Sequence, residues 1–125
     1  MFQQGLATVK QFPDCHDTRA CREFYRQFCG EIRDMYQPQL VFDMSGVQHL
    51  NAAGIDLLLK CVVEIANRDG EVKLAAASPQ ISLILELTQM NELLDVYESV
   101  EGALQGLNGY RIPELPQAQP AMRAA

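Results

Sequence analysis

Polar and apolar positions repeat with two periods along this chain, close to two and close to 3.6, and the periods exchange several times. In residues 6–12, Leu6, Thr8, Lys10 and Phe12 fall on one side and Ala7, Val9 and Gln11 on the other, which predicts a strand ended by Pro13-Asp14. Asp17 is placed to cap a helix. Cys21, Phe24, Tyr25, Phe28, Ile32 and Met35 then form one helical stripe, with Arg22, Glu23, Arg26, Gln27, Glu31 and Arg33 opposite. Gln37-Pro38 stops that helix, because a residue before proline avoids helical backbone angles.

Leu40-Val41-Phe42 is apolar without alternation, as expected of a central strand covered on both faces. Met44-Ser45-Gly46 turns the chain. A second helix is predicted to start at Asn51-Ala52-Ala53-Gly54, with Ile55, Leu58, Leu59, Val62 and Ala66 as its apolar stripe. Asp56 with Lys60 and Glu64 with Arg68 are helical ion pairs in the favourable order, and Asp69-Gly70 ends the helix. Residues 72–76 are a third strand. Ser78-Pro79 opens a third helix with Ile81, Ile84, Leu85 and Thr88 inward, closed at Asn91. Residues 94–97 are a short fourth strand. Ser99 caps a last helix over residues 100–104, which Gly106 ends.

The order β-α-β-α-β-α-β-α predicts an α/β domain: a mostly parallel or mixed four-stranded sheet covered by helices, with right-handed crossovers. Beyond Gly106 the composition shifts to Pro113, Pro116 and Pro120 among Gln and Ala. The domain is therefore expected over residues 1–108, with a flexible Pro/Ala/Gln tail over 109–125.

Composition then narrows the function. With 125 residues and 48% hydrophobic content, the chain can build one core. A net charge of −6, with scattered basic residues, argues against nucleic acid and for a basic partner. No apolar run is long enough to span a membrane and no secretory signal opens the chain, so the expected location is cytoplasmic. In that compartment Cys15, Cys21, Cys29 and Cys61 are expected as reduced thiols. Cys15, His16, Asp17 and Cys21 lack a metal-ligand spacing, so no metal is expected. Phosphate-loop, dinucleotide and nucleophile-elbow motifs are absent, and no cofactor is implied. His49 reads as an exposed turn residue. Asp43, at the end of the buried strand, reads either as a functional group or as an acceptor for turn amides. The start of the second helix offers free N–H groups and a positive dipole end suited to an anion. Yet Ala52 and Ala53 carry no oxygen, and small residues there also allow close helix–sheet packing.

Four blocks, in order, resemble the STAS domain family of sulphate transporters and anti-sigma factor antagonists. Val41-Phe42-Asp43-Met44-Ser45-Gly46-Val47 is similar to its strand and turn. His49-Leu50-Asn51-Ala52-Ala53-Gly54-Ile55 is similar to its Phe-Leu-Asp-Ser-Ser-Gly-Leu block. Val72-Lys73-Leu74 resembles its next strand, and residues 93–104 its closing block. The resemblance implies a STAS-like domain with a shortened N-terminal strand region, acting as a non-enzymatic protein-binding switch. In that family an unphosphorylated antagonist binds a kinase-like anti-sigma factor, and phosphorylation of the second serine of the block abolishes binding. Here Ala53 occupies the phosphoacceptor position, Ala52 precedes it, and Asn51 replaces the aspartate. The resemblance therefore implies partner binding without phosphorylation at this site, through Asp17, Asn51, Ala52, Ala53, Gly54 and Ile55. The alternative is a cytosolic subunit of a membrane-associated lipid-transport ABC complex. Apolar residues on the first strand would also support a homodimer.

Overall fold

A computed structural model describes residues 7–14 and 17–107. Its strands are β1 (Thr8–Gln11), β2 (Gln39–Asp43), β3 (Glu71–Ala75) and β4 (Val96–Tyr97). They form one sheet in the order β1-β2-β3-β4, with every pairing parallel. The helices are α1 (Thr18–Ile32), α2 (Ala52–Asn67), α3 (Pro79–Leu87) and α4 (Val100–Gly106). The predicted α/β order is thus present, and among the described residues the sheet is purely parallel rather than mixed.

Strand pairing sets the layers. Val9 lies beside Val41 and Val41 beside Lys73, so alternate residues of β2 face opposite layers. Leu40, Phe42 and Met44 join the large core under α1, α2 and α3, while Val41 meets Ala75, Ala103 and Leu107 under α4. Parallel crossovers of one hand between successive neighbouring strands carry α1, α2 and α3 to the same face. Phe12, Phe24, Phe28 and Phe42 fill that layer, Phe42 lying 5.3 Å from Phe12 and 5.8 Å from Phe28 between ring centres.

Side-chain caps account for the helix starts. Asp17 accepts from the Ala20 amide, Asn51 from Gly54, Ser78 from Ile81 and Ser99 from Gly102. The turn into β3 needs its glycine, since a Cβ on Gly70 would collide with the Pro38 carbonyl oxygen.

Several expectations are corrected. β1 is shorter than residues 6–12, and β4 begins only at Val96, since the amides of Leu93 and Leu94 still donate to the Met90 carbonyl of the preceding turn. α3 stops at Leu87, where the Thr88 hydroxyl donates back to the Ile84 carbonyl, and a short 3₁₀ turn (Met90–Glu92) follows. α4 runs two residues further than expected. Most consequential is the phase of α2. Gly54, Leu57, Leu58, Cys61 and Ile65 are its buried residues, whereas Ile55 and Val62 are half-buried and Leu59 and Ala66 exposed. Cys29 and Cys61 are free thiols, but Cys21 is disulfide-bonded, against the expectation that all four are reduced. Residues 1–6, Cys15, His16 and residues 108–125 lie outside the described part, so the short N-terminus and the tail are expectations only.

Three groups make this fold sensitive to alkali. Burial, then the Cys29 and Glu64 charges, pushes the Cys61 thiol up to about 12. A hydrogen bond with Cys29, then burial, pushes the Tyr25 phenol up to about 12. At Lys73 burial acts to lower the pKa, but the bonds to Asp95 and Glu71 outweigh it and the net shift is upward. A folded-state pKa above the unfolded one gives stability that is complete below the unfolded value and lost as pH rises through the folded one. Denaturation followed from pH 8 to 11.5 should therefore show a loss on the order of 2–3 kcal/mol. Cys61→Ala, which removes the thiol titration, should flatten that loss.

Candidate functional site

The C-terminal edge of the parallel sheet is where α1, α2, α3 and α4 all begin, and it is where open α/β sheets place their sites. At its centre the chain from β2 to α2 is pinned from both sides. The Met44 amide donates to the Ala75 carbonyl at 2.8 Å, and Met44, Val47 and Leu50 are buried at three-residue spacing. Ser45, Gly46, Gln48 and His49 are thereby turned outward. Asp43 accepts from the Ser45 amide at 2.9 Å, which supports the turn-acceptor reading of that residue.

A residue not singled out from sequence holds the other side. One Asp14 carboxylate oxygen accepts from the amides of Gln48 at 3.2 Å and His49 at 3.0 Å, tying the β1–α1 turn to the β2–α2 loop. His49 lies exposed beside it, Nδ1 3.8 Å from that same oxygen. Pro13-Asp14 advertises a turn, but an aspartate in a turn ordinarily serves its own backbone. Its partners here are 34 and 35 residues away, and no local pattern points to them.

Asn51 then ends the loop and starts α2. Its side-chain oxygen accepts from the Gly54 amide at 3.0 Å. Ala52 is exposed, Ala53 and Ile55 are half-buried, and Gly54 is buried against Leu50. Asp17 is exposed at the start of α1 on the same edge. The structure thus brings Asp17 and the Asn51-to-Ile55 segment to one edge through α1–α2 packing and the Asp14 bridge. No hydrogen bond joins Asp17 to Asn51 among the described residues. Two methyl groups stand at a capped, accessible helix end, with no hydroxyl on either.

Next to this end α2 carries a second apolar stripe that runs from the core margin at Ile55 out to exposed Leu59 and Val63. Val63 is 54% exposed and Leu59 36%, and Ile55 continues the stripe towards the helix start. Asp56 and Lys60, paired at 3.2 Å, border it. Among the described residues no group of three or more His, Cys, Asp or Glu could hold a metal, and no helix is long and apolar enough to cross a membrane.

The whole is a small parallel α/β domain in which all four helices start at one edge of the sheet. Residues 16–103 match the model of the STAS domain family, and the chain belongs to that family. Three solved structures share the fold. The STAS domain of a SulP transporter from Vibrio cholerae is 22% identical, with 85% of this chain and 83% of that one covered and a TM-score of 0.67. An anti-sigma-factor antagonist (STAS) domain protein from Planctomyces limnophilus is 20% identical, covering 78% and 87%, with a TM-score of 0.69. A putative anti-sigma factor antagonist from Thermotoga maritima is 13% identical, covering 80% of each chain, with a TM-score of 0.66.

The Asn51 cap is open to a direct check. Asn51→Ala should destabilise the domain by about 1 kcal/mol in urea denaturation, while Asn51→Asp should keep or improve stability because a carboxylate caps equally well and complements the helix dipole. Asp14→Ala should speed hydrogen exchange at the Gln48 and His49 amides and cost about 1–2 kcal/mol.

Proposed function

We propose that this domain is a non-enzymatic, protein-binding regulator of the anti-sigma antagonist type, and that it docks through the start of α2 without being switched there by phosphorylation. The observation that carries the reading is Ala53: a half-buried methyl at the accessible, capped end of α2, where a hydroxyl would be needed. A phosphate at this place would add nearly two negative charges to the docked surface. Ala53 cannot accept one, and neither can Ala52. Contact then depends on shape and on apolar area alone, and the Ile55, Leu59 and Val63 stripe of α2 supplies that area beside Asp17 and Asn51. STAS domains are generally regulatory binding domains, which agrees with this role.

The partner class follows from the resemblance: a kinase-like anti-sigma factor or a related signalling protein. Calorimetry with such a protein from the same host should give binding that persists after incubation with ATP. Ala53→Glu, which places a charge at the helix start, should weaken it by about tenfold or more. Ala53→Ser should make the complex sensitive to ATP. An unchanged affinity for Ala53→Glu would remove the proposed surface. Phosphate found by mass spectrometry on Ser45, Thr88 or Ser99, with release of the partner, would remove the claim that docking is unswitched.

A further inference from the structure

Residues 74–107 contain five carboxylates, Glu86, Glu92, Asp95, Glu98 and Glu101, and neither lysine nor arginine. Asp95 is paired with Lys73 at 2.8 Å. The other four form no ion pair among the described residues. The same part of the molecule exposes leucine. Leu83 and Leu87 lie four residues apart on one side of α3 and are 52% and 74% exposed; Leu93, after the 3₁₀ turn that packs on α3, is 62% exposed. Between α3 and β4 runs a crevice of about 300 Å³, with Leu85 and Val96 in its floor and Ser82, Glu86, Asn91 and Glu98 around it.

A single exposed leucine on a surface is ordinary. Leu83 and Leu87, one helical turn apart, with unpaired charge of only one sign beside them form a surface with a defined complement. Its apolar part is suited to the apolar stripe of a helix, as in helix-in-groove recognition. Its charge selects a basic partner, because opposite potentials steer association and like charges oppose it. A second copy of this chain would bring the same carboxylates, and an anionic membrane or nucleic acid would be repelled. Lysine and arginine have apolar stems and charged heads, which matches a crevice with an aliphatic floor and a carboxylate rim.

We infer that α3 and β4 form a second docking surface, for a basic amphipathic helix of a partner protein. Its apolar residues would lie on Leu83 and Leu87, and one lysine or arginine would enter the crevice between Glu86 and Glu98. This rests on the reading of the chain as a docking domain, but not on the start of α2, so the two surfaces fail separately.

The test is titration of the isotope-labelled full chain, followed by NMR, with a helical peptide of roughly 14 residues made of leucine and lysine at helical spacing. A scrambled peptide of the same composition and a leucine–glutamate counterpart serve as comparisons. The leucine–lysine helix should shift amides within residues 82–98, and the other two should not. Leu83→Ser with Leu87→Ser, and separately Glu86→Gln with Glu98→Gln, should each weaken binding by about tenfold while leaving the remaining spectrum in place. Ala53→Glu should leave this affinity unchanged. Equal binding of the scrambled or acidic peptide, shifts spread over carboxylates of the whole surface, or sedimentation showing that this face joins two copies of the chain would each overturn the inference.

Discussion

The burial of β2 on both faces is the constraint that organises this domain. A strand whose alternate residues all leave water needs a covering layer on each side. Leu40 and Phe42 require the three-helix layer, and Val41 requires α4. The contact of Phe42 with Phe12, Phe24 and Phe28 joins the first turn, α1 and the central strand in one aromatic cluster. Truncating such a ring typically costs about 3–5 kcal/mol, a large share of a small domain's whole stability.

That arrangement also positions the edge proposed for docking. In a parallel sheet built from adjacent right-handed crossovers, every helix begins at the same end. Four side-chain caps therefore converge there, and the loop from β2 to α2 is stretched across it. Its inward residues, Met44, Val47 and Leu50, plug into the core, and Asp14 holds its outer backbone. The start of α2 is consequently a built and ordered surface, although little of it is charged.

The two faces of α2 divide structure from proposed function. A helix that only closed a core would show one apolar stripe and a polar remainder. α2 shows two stripes, and the one formed by Leu59 and Val63 has no partner in the core. α3 repeats this economy with Leu83 and Leu87. Retaining apolar side chains in water adds nothing to the fold, so their place beside an accessible helix end fits a domain that acts by docking.

Much was legible in local chemistry. The element order, the apolar run of β2, the capping residues Asp17, Ser78 and Ser99, the start of α2 at Asn51 and the bare methyls of Ala52 and Ala53 all follow from side-chain type and spacing, since periodicity and capping act over a few residues. Three features did not follow. The phase of α2 was ambiguous because apolar residues occupy both its inner and outer sides, and only packing against β2, β3 and α1 selects Leu57, Leu58, Cys61 and Ile65. The Asp14 bridge joins residues far apart in the chain, and it exists only once β1 and β2 are paired. The acid-and-leucine surface of α3 and β4 is a matter of exposure, and exposure is settled when the layers assemble rather than by the chemistry of any single segment.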